Sequence, residues 1–146
     1  MDDRRFPVDL HILFRMCGRI LLGRRRNTGY GDGLFHLCAG HLELGENAID
    51  GVIREAEEET GAIIRANDLS LVLTAHEDGG DGRIALFFET HTWRGEIENR
   101  EPDKCEGWRW FEPDALPDQI VPYCRRAIEL ITSGNHSGIA IWREPT

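Results

Sequence analysis

The chain has 146 residues, of which 40% are hydrophobic and 29% charged, with a formal net charge of −9. Residues 1–146 are the size of a single domain able to bury a proper core. So acidic a chain lacks the basic footprint of a binder of duplex DNA, RNA or an anionic membrane. A small polyanion remains admissible, because it needs only a local basic patch and a metal.

The N-terminal stretch MDDRRFPVDLHILFRM opens with Asp2 and Asp3, and Asp9 and His11 break its apolar run. It reads as neither a signal peptide nor a membrane span. Residues 8–14 and 19–22 are predicted as hairpin strands turning near Cys17-Gly18. A loop, RRRNTGYGDG, follows at 24–33, then a short strand at 34–37. A helix is expected from an Asn47 cap, with Asp50 favouring its dipole, to a stop at Gly61. Strands are predicted at 69–76 and 83–93, joined by the glycine-rich tip EDGGDG, which is expected to edge the site. A further strand at 105–111 is marked by Trp108 and Trp110, and an amphipathic helix at 121–131 closes the chain. Strands with one helix between them and one at the end suggest an α+β sandwich. Cys17, Cys38, Cys105 and Cys124 show neither paired metal spacing nor the density of a secreted scaffold, so free thiols in a reducing cytoplasm are expected.

The most informative segment is GHLELGENAIDGVIREAEEETG, residues 40–61. Glu55, Glu58 and Glu59 are spaced i, i+3, i+4 and project from one side of a helix. At ~6 Å and an effective dielectric of ~20, each like-charged pair costs roughly 3 kcal/mol before screening. Such a cluster calls for a cation; Arg54 is one, and a divalent ion with oxygen ligands is the better candidate. On the helical wheel Ile49, Val52, Ile53, Ala56 and Thr60 form the core-facing arc, Asp50 and Glu57 lie opposite, and the three glutamates flank the arc. Gly51, at ~1 kcal/mol relative to Ala in mid-helix, suggests close approach by a loop or ligand.

The positions Gly40, Glu46, Arg54, Glu55, Glu58, Glu59 and Gly61, at their spacings, resemble the Nudix box in every fixed glycine and polar residue. Ala56 and Ala62 stand where that pattern prefers a larger aliphatic residue. The resemblance implies an α/β/α sandwich with a mixed sheet between helices. It also implies Mg²⁺- or Mn²⁺-dependent hydrolysis of a nucleoside diphosphate linked to a further group. Glu55, Glu58 and Glu59 would be metal ligands together with the main-chain carbonyl of Ala39, and Glu55 or Glu58 would also orient or deprotonate the water. Arg54 is read as organising the glutamates, and Glu46 as anchoring the loop onto the helix.

A further acid is sought in NREPDKCEGWRWF, where Glu101 is preferred over Asp103 and Glu106 because it lies in the loop before the strand. By resemblance an arginine ending the second strand contacts phosphate; the matching position is Arg25, with Arg24 pointing to the other side of the sheet and Arg26 on a solvated loop. The stretch EPDKCEGWRWFEPDALPDQIVPY, with LLGRRR upstream, is similar to the branch cleaving nucleoside triphosphates to monophosphate plus pyrophosphate. Tyr30 or Phe35 on one wall and Tyr123 on the other would stack on a base. His36, His41, His76 and His91 are read as structural. The expected partner is a small nucleotide, with neither a nucleic acid polymer nor a membrane; a homodimer is compatible with this. ADP-ribose, a nucleotide sugar or a dinucleoside polyphosphate is the alternative substrate, and a non-catalytic nucleotide-sensing module the alternative of another class. Loss of a box glutamate would favour the latter, and all are intact.

Overall fold

Strand β1 (Val8–Met16) runs through the middle of the sheet, and its sequence VDLHILFRM accounts for that place. Residues 9–14 are all buried, so both faces of the strand are covered. Leu10, Ile12 and Phe14 belong to one core cluster, and Leu13 to the other. The computed structural model describes residues 4–134 and 138–143.

After β1 come β2 (Arg19–Arg25), β3 (Phe35–His36), β4 (Cys38–His41), α1 (Ala48–Thr60), a 3₁₀ turn (Ala66–Asp68), β5 (Ser70–Glu77), β6 (Ile84–Thr90), β7 (Cys105–Phe111), α2 (Pro122–Ser133) and β8 (Ile139–Trp142). The sheet order is β3-β2-β1-β6-β5-β8, with β4 also pairing β1 and β7 pairing β2. Pairing is parallel for β1–β6 and β5–β8 and antiparallel for β1–β4 and β5–β6, so the sheet is mixed. Val52 and Ala56 of α1 share a core with Leu10, Ile12, Phe14, Leu21 and Phe88. Cys124, Ala127 and Ile128 of α2 share the other with Leu13, Ile20, Leu22, Leu73 and Phe87. One helix on each face of a mixed sheet is the α/β/α sandwich. Ala56 and Ala62 are fully buried in the first core, against which Trp93, Trp108 and Trp110 pack. Among the described residues no helix is long and apolar enough to cross a membrane.

The caps of α1 follow the sequence. Asn47 Oδ1 accepts from the Asp50 amide at 2.9 Å, and Gly61 ends the helix at φ 80 with its N–H on Glu57 O. Other boundaries differ from expectation. β2 continues through Arg25 where a loop was predicted from residue 24, because Arg24 pairs with Phe35 and Arg25 with Cys105 on opposite sides of it. Where one strand was predicted at 34–37, β3 covers only Phe35–His36, and the unforeseen β4 (Cys38–His41) brings Ala39 and Gly40 alongside β1. β6 stops at Thr90, and β8 was not foreseen.

Candidate active site

The site is built where β4 and α1 meet. Arg54 is its hub: Nε and Nη2 donate to the two carboxylate oxygens of Glu46 at 3.0 and 2.7 Å, and Nη1 donates to Glu55 at 2.8 Å and Glu58 at 3.2 Å. Nη2 also reaches the carbonyl of His41 at 3.2 Å. Such a two-pronged pair is specific in geometry as well as charge-assisted. It holds the Glu46 carboxyl down at about 2, with the Glu43 amide donor helping. Glu46 also accepts from the Glu43 amide at 2.9 Å, so the loop before α1 is tied to the helix as expected. Gly51 has its reason here: a Cβ there would sit 2.6 Å from Leu10 Cδ1 and 2.9 Å from Glu46 Oε1.

Glu55 lies against Gly40, where a Cβ would fall 2.0–2.3 Å from its carboxyl atoms. Only glycine leaves room for that carboxylate. Glu59 is turned inward: Cys38 Sγ–H donates to Oε2 at 2.7 Å and the Ala39 amide at 3.1 Å. Burial, then the charges of Glu55 and Glu101, push the Glu59 carboxyl up to about 8. Burial also raises Glu55 against the pull of Arg54, and raises the Cys38 thiol beside Glu59. Glu58 is the open member, its side chain 56% exposed.

The loop bearing Glu101 is fastened to the C-terminus of α1. Glu98 N donates to Thr60 O at 2.8 Å, while Arg100 N and Trp108 Nε1 donate to Glu59 O at 3.3 and 3.4 Å. These donors satisfy carbonyls that a helix end otherwise leaves open. The Arg100 guanidinium packs against Gly61, whose Cβ would meet Nε at 2.8 Å. Glu101 thereby borders the same cleft as Glu55, Glu58 and Glu59, a space of about 1450 Å³.

The cleft also takes in Ala39, Gly40, Arg24, Arg25, Tyr30 and Tyr123. Arg25 Nε donates to Tyr30 O at 2.7 Å and Nη2 to Thr28 Oγ1 at 3.1 Å, with its guanidinium 5.4 Å from the Tyr30 ring centroid. It braces the 27–33 loop, a role that was not anticipated. Arg24 borders the cleft too, but its guanidinium is turned to Gly33 O at 2.9 Å, to Glu106 at 3.3 Å and over the Phe35 ring, none of which lines the cleft, whereas the partners of Arg25 do. Arg26 is exposed, as expected, and its guanidinium donates to Pro102 O, from Nε at 2.8 Å. Phe35 is corrected from a stacking candidate to a core residue, 6% exposed and packed edge-on to Phe111 at 5.1 Å. Tyr30 is half exposed, and the tip residues Glu77, Gly80 and Asp81 edge the cleft.

Tyr123 takes part in a network that sequence reasoning missed. His36 Nδ1 donates to Leu37 O at 2.7 Å, so its Nε2 accepts the Tyr123 hydroxyl at 2.6 Å, and His11 Nε2 lies 3.2 Å from the same oxygen. His11 Nδ1 meets no hydrogen-bond partner among the described residues. Burial lowers both imidazoles, His36 to about 4, and raises the Tyr123 phenol. The only sequence signal was a histidine inside an apolar strand. Trp142 of β8 also lines the cleft and had no advance signal.

The donor chemistry suits a hard divalent cation: carboxylates and a carbonyl, all oxygen, crowded so that burial and mutual repulsion disfavour their charged forms. A dication would reverse that penalty. As placed, the side chains are not gathered into a ready ligand set of three or more among the described residues; Glu55 is held by Arg54 and Glu59 by Cys38 and Ala39. The fit is one of charge and donor type.

A profile of the NUDIX domain matches residues 4–131. The chain is 28% identical over 136 residues to an RNA pyrophosphohydrolase of Novosphingobium aromaticivorans, covering 79% of this chain and 82% of that protein. It is also 28% identical over 123 residues to an ADP-ribose pyrophosphatase of Methanocaldococcus jannaschii, covering 80% and 71%. The crystal structure of a MutT NUDIX hydrolase from Burkholderia pseudomallei superposes with a TM-score of 0.75 at 29% identity, over 84% of this chain and 95% of that one. With the glutamate helix, the cradle at Gly40 and the α/β/α sandwich in place, the chain belongs to the NUDIX family of hydrolases.

Proposed function

We propose that this enzyme hydrolyses a pyrophosphate bond in a nucleoside di- or triphosphate, releasing the monophosphate with phosphate or pyrophosphate. The carrying observation is that Glu55 and Glu58, both bound by Arg54, and the buried Glu59 border one cleft of about 1450 Å³ that also holds Arg25 and Tyr30. Mg²⁺ or Mn²⁺ would be held by Glu55, Glu58, Glu59, Glu101 and the Ala39 carbonyl. When bound, the ion neutralises phosphate charge and lowers the pKa of a coordinated water.

The chain's own residues do the rest. Arg54 fixes Glu55 and Glu58 so that one of them orients the attacking water and takes its proton. Arg25 offers a guanidinium to phosphate oxygens from the end of β2, and Tyr30 and Tyr123 flank the base. The triphosphate terminus of an RNA presents the same linkage, and the relative named RNA pyrophosphohydrolase favours that second reading. The net charge of −9 favours the free nucleotide. ADP-ribose is the further candidate, from the name of the second relative. Four free thiols among the described residues suit a reducing cytoplasm.

The test is a phosphate and pyrophosphate release screen with Mg²⁺ over nucleotides, 5′-triphosphate RNA, ADP-ribose and nucleotide sugars. Monophosphate plus pyrophosphate from a free triphosphate supports the proposal. Cleavage restricted to RNA or ADP-ribose moves it to that substrate, and stepwise orthophosphate release from a triphosphate by way of the diphosphate refutes it.

A further inference from the structure

Three successive carbonyls of the loop after Glu101 are bound by one dipeptide. The Arg26 guanidinium donates to Pro102 O, Asn27 Nδ2 to Asp103 O at 3.1 Å, and the Arg26 amide to Lys104 O at 3.0 Å. Asn27 stands at φ 55, a left-handed conformation that Asn adopts more readily than most residues. The loop itself is a tight turn, with Lys104 N and Cys105 N both donating to Glu101 O at 2.9 Å. Its other flank is pinned to the end of α1 through Glu98 and Arg100. Asn99 Nδ2 donates to Cys105 O at 2.8 Å and Cys105 pairs with Arg25, so the dipeptide supplies the bonds to the three carbonyls between Glu101 and that strand start.

We propose that Arg26 and Asn27 are positioning residues, which lock the 101–105 turn so that the Glu101 carboxylate is presented to a divalent cation beside Glu55 and Glu59. The inference rests on Glu101 being one of the metal-binding acids. It also ties two halves of the site mechanically: the dipeptide directly follows Arg25, so the strand end that meets phosphate and the turn that supplies the loop acid move together. Outer partners of metal ligands commonly change metal affinity by ten- to a hundredfold.

The test is Mn²⁺ binding to the 146-residue chain, followed by electron paramagnetic resonance of the free ion, for Glu101→Gln, Arg26→Ala, Asn27→Gly and the combinations with Glu101→Gln. Glycine keeps the positive φ and removes only the side chain. Thermal melts establish that each variant is folded; Arg26→Lys, which keeps the charge but not the fork, replaces Arg26→Ala if that variant is not. The expected result is roughly tenfold weaker Mn²⁺ binding in Glu101→Gln, weakening in the same direction in the Arg26 and Asn27 variants, and no further loss on combination. If Glu101→Gln weakens binding while the Arg26 and Asn27 variants do not, or if their effects add, the positioning role is overturned and the Glu101 assignment stands. If Glu101→Gln leaves binding unchanged, the assignment and the inference fall together. The hydrolase reading is then untouched and is judged by the substrate screen.

Discussion

Replacing Arg54 with Ala removes one side chain that serves three carboxylates. Its side chain is 23% exposed, against 17% for Glu46 and 14% for Glu55, so the network lies between a surface pair and a buried one. Exposed pairs contribute about 0–1 kcal/mol, while removing one member of a buried pair costs about 3–5 kcal/mol because the other charge is left without compensation. Two fork bonds to Glu46 and one to Glu55 place the loss at roughly 2–3 kcal/mol, a fall in Tm of about 4–10 °C for a domain of this size. Arg54→Lys keeps a charge but cannot span both Glu46 oxygens and Glu55, so about half the loss should remain. The assay is urea unfolding in the absence of metal, with Glu46→Gln and the double variant completing a cycle. The coupling energy between positions 46 and 54 should exceed ~1 kcal/mol. An Arg54→Ala variant within ~0.5 kcal/mol of the parent, or strictly additive single changes, would refute the hub role.

Chelation with EDTA should abolish hydrolysis, and Mg²⁺ or Mn²⁺ should restore it. Glu59→Gln should lose orders of magnitude in rate yet melt no lower than the parent at pH 7, because a carboxyl pushed up to about 8 is already neutral there and Gln is its isostere. Arg25→Ala should raise KM more than it lowers kcat, since phosphate is anionic before and during the reaction, and Lys should recover only part of the loss; steady-state kinetics decide this. His36 is neutral in the fold at about 4 and near 6.5 when unfolded, so the unfolded chain binds the extra proton between those values. Stability is therefore full above about pH 6.5 and falls by up to ~3 kcal/mol as pH drops through that window. His36→Gln, whose amide oxygen can still accept from Tyr123, should flatten this acid limb in melts from pH 4 to 7, and an unchanged slope would refute the assignment.

The helix with its caps and the acid cluster were legible because their signals are local: the Asn47 cap, Gly61, the apolar arc, and glutamates at fixed spacing. The box glycines were legible as fixed positions, while their reasons needed the fold. Gly40 makes room for the carboxylate of Glu55, fifteen places along the chain, and Gly51 for Leu10 and Glu46. What failed was set by partners distant in sequence. Arg24 and Arg25 read as loop by composition, yet β3 and β7 recruit them into β2. Phe35 could not be told from a stacking aromatic until its contact with Phe111 was known. Arg26 is exposed as its composition suggested, but its acceptor, Pro102, lies on another loop and had no local signal. The His11–Tyr123–His36 network joins β1, β3 and α2, and no local pattern encodes such a meeting.

Charge closes the argument for a cation. A triphosphate entering this cleft brings several negative charges to a protein of net charge −9. The arginines around the cleft are largely committed: Arg24 to Glu106 at 3.3 Å, Arg83 to Asp9 at 2.7 Å and Asp81 at 2.8 Å, and Arg143 to Asp78. Arg54 is committed to Glu46, Glu55 and Glu58, and Arg25 spends two of its donors on its own loop. Lys104 and Arg126, which also line the cleft, make no ion pair among the described residues and are the cations left to meet phosphate, against eight carboxylates in the same lining. The acids that would repel a polyanion are the groups able to hold the dications that attract one. In that arrangement the ion and substrate phosphates satisfy each other, and neither should bind tightly alone. Titrating Mn²⁺ with and without a non-hydrolysable nucleotide measures this coupling. Reciprocal tightening is expected, and equal Mn²⁺ affinity in the two titrations would show that phosphate charge is met by protein cations instead.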